Sequence, residues 1–517
     1  SNNTAVGYAS LLANTTGANN TAVGQGALDA NTTTSNNVAI GQNALGANTA
    51  AQNTAVGTAA LTANTTGTDN VAVGYGALTT QTTGGYNTAV GRNSMSASTT
   101  GTQNVAVGGY SLDANTTGTS NVAVGYNALG ANITGAQNVA IGEGALVANT
   151  GGLRNVAVGF NSLDASTTAS DNTAIGFTAL TAATGASNTA LGSYALSANS
   201  TAASNVAVGY NSMTLTTTGA SNTAVGTGSL TANTTGASNT AIGKEALAAN
   251  TTASSNTAVG YFALKANTTG HSNTAIGKDA GIAITTGISN TLMGLDAGDA
   301  ITTGAENCGF GENALGGVIG ASTNVAIGSA AGTSGVVLAT GSGNILIGAY
   351  SHTSATDSSK QIVIGYNVVA SGDAAFTFGD GTTDTTCSYG GTTWSAPSDI
   401  RYKEDIQDEV VGLNFINELR PVTFLWKKEK DLPKDHTAYV KDSEERTMNG
   451  KYNHGFVAQE VKEVIDKYPD IKEGFDLWRV DEIEDRQRVG EGALMPMLVK
   501  AIQELSAEVE ELKQKAH

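Results

Sequence analysis

A five-residue pattern that alternates around a central alanine and ends in glycine, Asn-[Thr/Val]-Ala-[Val/Ile]-Gly, recurs through the first 365 residues. It returns every 17 residues, occasionally 16, from Asn3 to Asn273 and then loosens into variants such as NTLMG at Asn290 and QIVIG at Gln361. The alternation predicts a short strand in each copy. The 22 copies at one period predict a repeat architecture.

A second apolar element follows each pentad, as ASLLAN, GALDAN or YALSAN, and a polar TTGA corner closes the period. Gly and Asn supply the backbone angles that tight bends require. Two short strands and two corners per 17 residues predict one coil of a β-solenoid, with small Ala in the lumen and Val or Ile repeated in register. At a strand spacing of about 4.8 Å, the 22 coils would form a rod about 100 Å long.

Charge divides the chain at Ser398. Residues 1–397 contain six Lys or Arg and 16 Asp or Glu, whereas residues 398–517 contain 19 and 27. We therefore predict a mainly β protein with three regions: a solenoid over 1–365, a short β-stalk over 366–397 and an α-rich C-terminal domain over 398–517. The stalk is predicted from AFTFGDGTTDTTCSYGG, which alternates as short hairpins do.

The C-terminal domain changes periodicity along its length. Apolar residues from Ile406 to Leu419 recur at helical intervals, RPVTFLWKK alternates as a strand, and HGFVAQEVKEVIDKYP starts as a strand and continues as a helix. A final apolar stripe steps by four and three residues, which predicts a coiled coil over 494–515. Its members are Leu498, Ile502, Leu505, Val509 and Leu512.

Composition argues against several classes of function. A net charge of −18 disfavours a nucleic-acid partner, because such binding needs a cationic face. Cys308 and Cys387 lack metal-ligand spacing, so we expect no metal site, no cofactor and no disulfide framework. No run approaches the roughly 18 apolar residues of a membrane span. The chain begins inside a repeat, and we expect a preceding segment in the natural protein.

Aromatic residues recur directly after the pentad glycine, at the same corner of the coil. One interpretation is that the rings cap the corner or pack between subunits. The other is a row of platforms on which sugars stack. The tyrosines predicted to contact glycan are Tyr8, Tyr75, Tyr126, Tyr210 and Tyr261, and Phe160, Phe177 and Tyr366 occupy the same position.

Ser398 and Lys403 stand five residues apart at the point where the charge changes. A serine becomes a nucleophile when a neighbouring base takes its proton, and a lysine can be that base where burial favours its neutral amine. On a helix the two would lie about 140° apart, so the segment must bend for them to meet. Attack by Ser398 Oγ on the preceding carbonyl would break the bond between Pro397 and Ser398.

Two resemblances extend this interpretation. The pentads resemble the head repeats of trimeric autotransporter adhesins, although the 17-residue step is longer than is usual there, and this resemblance implies a trimer. SDIRYKEDI, GLNFINELRPVTFLWK, HGFVAQEV and ALMPMLVKAIQELSAEVEELK resemble the intramolecular chaperone of phage endosialidases and tail fibres, peptidase family S74.

The second resemblance implies a trimeric chaperone that assists folding of the preceding β-fibre and then cleaves itself off. It places the catalytic dyad at Ser398 and Lys403 and the scissile bond between Pro397 and Ser398, with Pro397 a departure from the family pattern. It gives His454, Gly455 and Gln459 a supporting role.

The sequence therefore predicts a homotrimeric phage tail fibre that attaches to a host receptor or glycan, contacts other virion tail proteins through a preceding segment and acts once as a peptidase. Its location would be the virion, with the chaperone released in the host cytoplasm. Two alternatives stay open. One is a bacterial trimeric surface adhesin, and the other is a tail-spike polysaccharide depolymerase, which needs paired carboxylates.

Overall fold

A computed structural model describes residues 2–391, 394–395, 398, 400–434, 436–448, 450–469, 471, 477–480 and 487–516. The chain divides into two compact units, Ser1–Pro397 and Ser398–His517. They are called the solenoid unit and the C-terminal unit below.

The solenoid unit is built on one strand per coil. Each strand pairs in parallel with the strand of the next coil without any shift, so that Ala72, for example, lies opposite Ala89. The strands are β1 (Thr4–Val6), β2 (Thr21–Val23), β3 (Val38–Ile40), β4 (Thr54–Val56), β5 (Val71–Val73), β6 (Thr88–Val90), β7 (Val105–Val107), β8 (Val122–Val124), β9 (Val139–Ile141), β10 (Val156–Val158), β11 (Thr173–Ile175), β12 (Thr189–Leu191), β13 (Val206–Val208), β14 (Thr223–Val225), β15 (Thr240–Ile242), β16 (Thr257–Val259), β17 (Thr274–Ile276), β18 (Thr291–Met293), β19 (Cys308–Phe310), β20 (Val325–Ile327), β21 (Ile345–Ile347) and β22 (Ile362–Gly365).

The second apolar element of each coil is not a strand, and this part of the prediction is wrong. In the fifth coil Gly76 and Leu78 have φ of 66° and 52°, the left-handed region, so the segment turns twice instead of extending. The turns bury the Leu78 side chain completely. The Leu78 N–H also reaches the Ser94 carbonyl of the next coil at 3.0 Å, which offsets the cost of left-handed backbone at a residue with a Cβ.

The asparagine that opens the pentad is buried in the interior coils and links three coils. The Asn70 backbone N–H donates to Asn53 Oδ1 at 3.0 Å, and Asn70 Nδ2 donates to the Gly84 carbonyl at 3.0 Å. Asn70 Oδ1 in turn accepts the backbone N–H of Asn87 at 3.1 Å. Because an unpaired buried amide is costly, this asparagine ladder accounts for the asparagine that opens every pentad except the last, which begins with Gln361.

The glycine that closes the pentad is required by close approach of the coils. Gly74 has φ of 135°, and a Cβ placed there would lie 2.5 Å from the carbonyl oxygen of Gly91 in the next coil. No side chain fits at that distance, so the corner that follows is held tightly against its neighbours.

Two strands in the last part of the solenoid unit form the end of the sheet. β23 (Ala375–Gly379) continues the parallel sheet beside β22, and β24 (Thr385–Ser388) folds back antiparallel to β23. The rings of Phe376, Phe378 and Trp394 contact one another with centroids 5.3–5.8 Å apart. The region predicted as a stalk thus contains a hairpin whose first strand extends the solenoid sheet.

The C-terminal unit contains three helices and two small antiparallel sheets among its described residues. Phe415, fully buried, lies in a core with Val461, Val464, Leu477 and Met497. The elements are α1 (Leu413–Glu418), β25 (Val422–Phe424), β26 (Asn453–Gly455), α2 (Ala458–Ile465), β27 (Trp478–Val480), β28 (Gln487–Val489) and α3 (Met495–Ala516).

Two helix predictions have different outcomes. The stretch from Ile406 to Leu419 is helical only over α1, and Ile406 and Val410 are exposed. The predicted coiled-coil segment is helical as α3, a single helix of 22 residues. Met497 and Ala501 face the core of the unit, whereas the predicted stripe from Leu498 to Leu512 is exposed along the helix.

Candidate functional site

Ser398 and Lys403 are joined by a hydrogen bond in the C-terminal unit. A 3₁₀ turn over Ile400–Tyr402 lies between them, and the Lys403 backbone N–H closes it on the Ile400 carbonyl at 3.2 Å. The turn brings Lys403 Nζ to 2.8 Å from Ser398 Oγ. A neutral amine at that distance can accept the hydroxyl proton and leave a nucleophilic oxygen.

The hydroxyl and the amine are both exposed to solvent in the single chain. Pro397, whose carbonyl would be attacked, lies outside the described residues. The arrangement therefore supplies a hydroxyl and a base in contact, and no buried surroundings for either.

His454, Gly455 and Gln459 lie together around a cavity of about 910 Å³. His454 and Gly455 belong to β26, which pairs with β25 so that His454 lies opposite Thr423, and Gln459 is in the first turn of α2. Phe424 contributes an aromatic wall. The described residues that line this cavity do not include Ser398 or Lys403.

Sequence reasoning missed the other side of this cavity, which comes from residues distant in the chain. Arg479 of β27 and Arg488 of β28 line it, together with Gln487. Strands β27 and β28 have only three residues each, which is too short to leave a periodic signal in a single sequence.

An ion pair holds α2 beside β25. The Arg420 Nε donates to Glu460 Oε2 at 2.8 Å, and a second bond joins the other guanidinium nitrogen to the other carboxylate oxygen. The guanidinium lowers the pKa of Glu460 below its ordinary value, mainly through this hydrogen bond. The pair links α2 to the residue two positions before β25, although exposed pairs of this kind contribute little to stability.

Residues 398–470 match the family model described as chaperone of endosialidase. The matched region begins at Ser398 and includes Lys403, His454, Gly455 and Gln459. The family is a peptidase family, which implies self-cleavage as its general activity. A 22-coil solenoid followed by this chaperone of endosialidase region fits a fibre or spike protein with an intramolecular chaperone. No curated protein and no solved structure matches the chain.

The five tyrosines predicted to contact glycan all project from the solenoid corner. Tyr8, Tyr75, Tyr126, Tyr210 and Tyr261 are 82, 59, 57, 53 and 41% exposed. Exposure makes these rings accessible to a ligand but does not show that they bind one, so glycan contact stays a prediction.

Several corner rings pack on one another. Phe160 stacks on Phe177 with centroids 5.5 Å apart, Phe177 meets Tyr194 edge to face at 5.4 Å, and Tyr194 meets Tyr210 at 6.1 Å. Tyr194 stands one position further from its glycine than the predicted rings, so the fixed-position pattern did not find it.

The outward face of the solenoid sheet is a second surface that sequence reasoning did not single out. The residue at the centre of each strand, alanine in most coils, points inward, and the residues on either side of it point outward. Ile141, Leu191 and Ile242, at the third strand position, are 41, 45 and 40% exposed. Strands β1–β22 contain no charged residue, so this sheet face is an uncharged, largely apolar surface along the unit.

Membrane-spanning helices and metal-binding clusters are both absent from the described part of the chain. None of its helices combines the length and the apolar character of a membrane span. It also contains no group of three or more His, Cys, Asp or Glu residues that could hold a metal ion.

Proposed function

We propose that this chain is the fibre or spike protein of a phage, a homotrimer that attaches to a host cell and whose C-terminal unit cleaves itself off after assembly. The observation that carries the proposal is the 2.8 Å contact between Lys403 Nζ and Ser398 Oγ, at the first residue of the matched chaperone region. The uncharged sheet face and the exposed stripe of α3 support the trimer.

In the proposed cleavage, neutral Lys403 accepts the Ser398 hydroxyl proton while Oγ attacks the carbonyl carbon of Pro397. The C–N bond breaks, the Ser398 nitrogen takes the proton back from Lys403, and an ester now joins the Pro397 carbonyl to Oγ. One water molecule hydrolyses the ester, which leaves a carboxylate on Pro397 and a free amine on Ser398. Each chain carries out this reaction once.

Assembly would supply what the single chain lacks. A lysine acts as a base only when neutral, and burial favours the neutral form, yet Ser398 and Lys403 are exposed in one chain. Neighbouring subunits that cover them would couple cleavage to correct trimer formation.

Two surfaces suit packing between three copies. The outward sheet face extends over 22 coils without a charge, and a patch of that length on a monomer would be far larger than soluble monomers usually expose. The α3 stripe, including Ile502 and Leu505, is exposed at coiled-coil spacing. We assign the sheet face to the interface within the fibre and the α3 stripe to trimerisation of the chaperone.

A fibre of identical coils has a physical need for such a chaperone. A slip of one coil between chains replaces each strand contact by a nearly identical one, so local contacts select the alignment weakly. Contacts between chains are also distant in sequence, which makes them slow to form. A C-terminal clamp that trimerises first aligns the three chains before the coils pack.

The depolymerase alternative is supported by no recurrent carboxylate pair in the described part of the chain. Burial raises the pKa of Asp113 and of Asp164, but they stand three coils apart, about 14 Å along the sheet, which exceeds the separation of catalytic carboxylate pairs. Asp299 differs, since its pKa is raised by burial and further by the nearby carboxylates of Asp296 and Asp279, so this group leaves the alternative open. The adhesin alternative remains open, since it shares the solenoid and the trimer.

Mass measurement of the purified full chain tests the proposal. The wild-type chain should yield fragments 1–397 and 398–517, whereas Ser398→Ala should stay intact with the same oligomeric state. Intact wild-type trimer, or cleavage of Ser398→Ala at the same bond, would show that the dyad does not act.

A further inference from the structure

Arg92 projects from the corner of the sixth coil between two tyrosine rings. Its guanidinium carbon lies 6.0 Å from the ring centre of Tyr75 and 5.9 Å from that of Tyr110. The Tyr126 ring meets Tyr110 edge to face, with centroids 5.9 Å apart. These four residues from four consecutive coils are called the Arg92 cluster.

The Arg92 guanidinium has no hydrogen bond or ion pair in the part of the solenoid unit that the structure describes. Four other cations of the described solenoid unit form ion pairs, among them Arg154 with Asp171 at 2.6 Å and Lys265 with Glu245 at 2.8 Å, whereas Lys360 does not. An arginine carries five N–H donors in a planar fork that matches a carboxylate. Arg92 thus presents an unused anion-binding group on an aromatic surface.

A gap in the row of corner side chains lies beside Arg92. The position after the pentad glycine holds a side chain in every coil except the seventh, where it is Gly109. A Cβ at Gly109 would have ordinary contacts only, the nearest being Tyr126 Cδ2 at 3.6 Å. The gap is therefore bordered by the Tyr126 ring on one side and by Arg92 on the other.

The backbone holds this gap in a fixed shape. The Tyr110 N–H donates to the Arg92 carbonyl at 3.0 Å, and the Asn127 N–H donates to the Gly109 carbonyl at 3.0 Å. A ligand would meet groups that are already positioned, which lowers the entropy cost of binding.

The corner stays in water when subunits pack. The same corner position carries Glu143, Lys244, Lys278 and Glu312 in other coils, whereas strands β1–β22 carry no charge. Burying an unpaired charge at an apolar interface is costly, so the corner faces solvent and the sheet faces the partner subunits. A trimer would then display three Arg92 clusters, which increases the avidity for a polymer.

We propose that the Arg92 cluster binds a linear acidic polysaccharide whose sugars carry carboxylates. The Arg92 fork pairs with a carboxylate through two parallel hydrogen bonds, and the sugar ring enters the gap at Gly109. The faces of Tyr75 and Tyr126 carry the negative potential of the π system and attract the C–H groups of the sugar. Such binding deepens the attachment role proposed above and does not depend on self-cleavage.

Binding of the full chain to immobilised polysaccharides tests this assignment. The probes are polygalacturonate, which has a carboxylate on each sugar, neutral dextran, and dextran sulfate. We expect wild-type trimer to bind polygalacturonate in preference to both. Arg92→Gln, which removes the fork, and Gly109→Glu, which fills the gap without backbone strain, should each weaken binding by about tenfold or more.

Thr58→Glu is the matched control, because it adds the same charge at the same corner position two coils before Arg92 and should leave binding unchanged. The assignment is wrong if wild type does not bind polygalacturonate. It is also wrong if dextran sulfate binds equally well and Arg92→Gln does not weaken that binding, or if Thr58→Glu weakens polygalacturonate binding as much as Gly109→Glu does. Self-cleavage should be the same in all variants, so that failed binding leaves the proposed peptidase standing.

Discussion

Lys403 Nζ lies 2.8 Å from Ser398 Oγ across a single 3₁₀ turn. The turn, and not a helix, makes this possible, since residues five apart on a helix lie on different faces. Both side chains are exposed, and the described turn between them, Ile400–Tyr402, is local.

Lys403→Arg separates charge from basicity in the proposed cleavage. Arginine keeps the positive charge and the reach but does not become neutral, so it cannot accept the Ser398 proton. We expect the cleavage rate to fall by about a hundredfold or more, as for loss of a general base. The fraction of intact chain over time, read by mass spectrometry, measures it. Cleavage at the wild-type rate would show that Lys403 is only a positive charge beside the serine.

Substitution of the α3 stripe links assembly to cleavage. Ile502→Glu together with Leu505→Glu places charges along the exposed stripe and should prevent trimerisation of the C-terminal unit. Because one chain leaves Ser398 exposed, we also expect cleavage to be lost. Light scattering gives the oligomeric state and mass spectrometry the cleavage.

The control for α3 carries the same two added charges off the stripe, as Gln503→Glu with Ser506→Glu, both at exposed positions. It should trimerise and cleave normally. Full cleavage by a monomeric Ile502→Glu, Leu505→Glu chain would show that one chain suffices.

Charges on the sheet face should prevent the fibre trimer while the coils stay folded. Ile141, Leu191 and Ile242 point outward, so changing all three to Glu does not disturb the alanine lumen. Three subunits would then bring nine carboxylates together at an apolar interface. We expect a monomeric solenoid with an unchanged far-ultraviolet circular dichroism spectrum.

A matched triple variant moves those charges to the corner, as Thr58→Glu, Ser193→Glu and Thr227→Glu. Glu143 and Glu312 occupy that position naturally, so this variant should remain trimeric. If the corner variant is monomeric and the sheet-face variant stays trimeric, the subunit interface lies at the corner instead.

The pentad strand was predictable because its causes are local and repeated. Alternation around alanine sets the inward face, and the asparagine and glycine are both demanded by contact with the identical next coil. The second element was wrongly predicted as a strand because left-handed backbone at Leu78 is stabilised by a bond to Ser94 in the next coil, and leucine itself gives no sign of it.

The candidate site was predictable to a similar extent. Residue types and spacing indicated Ser398 and Lys403, and their contact depends on one short turn. The cavity around His454 could not be completed from sequence, because Arg479 and Arg488 reach it through a strand pair far along the chain. Only part of the Arg92 cluster could be predicted from sequence, since Tyr75 and Tyr126 share the position after the pentad glycine and Tyr110 does not.

The asparagine ladder should be essential for solenoid stability. Asn138 Oδ1 accepts the Asn155 N–H at 2.9 Å, and Asn138 Nδ2 donates to the Gly152 carbonyl at 2.9 Å. Asn138→Ala leaves the buried Asn155 N–H without an acceptor, and the Gly152 carbonyl keeps only the longer bond from Asn149 Nδ2 at 3.4 Å. We therefore expect a loss of about 2 kcal/mol in the free energy of unfolding. Thr134→Ala, at an exposed position in the preceding coil, should cost little. Equal stability of the two variants in denaturant titrations would contradict a structural role of the ladder.

Asp113 should destabilise the solenoid at neutral pH. Burial is the main reason that its pKa is raised, against the opposing effect of backbone hydrogen bonds at Asp113 and Ala114. The folded state then binds a proton more tightly than the unfolded state, so this residue's contribution to stability falls as pH rises through the raised pKa. The neighbouring coils place uncharged Ser96 and Gly130 at the same position. Asp113→Ser should therefore raise the melting temperature at pH 7, by an amount that corresponds to no more than about 1 kcal/mol after solvent screening.

The gain from Asp113→Ser should shrink as the pH is lowered toward the ordinary range of an aspartate, because the wild-type carboxyl is then neutral in the folded chain. Asp171→Ser is the contrasting variant: the Arg154 guanidinium lowers the pKa of Asp171, chiefly through a side-chain hydrogen bond. Its substitution should lower stability at pH 7, and the loss should disappear as the pH falls below the ordinary aspartate value. Thermal melts of both variants from pH 3 to pH 7 measure the two slopes, and parallel slopes would show that burial at Asp113 does not control its charge.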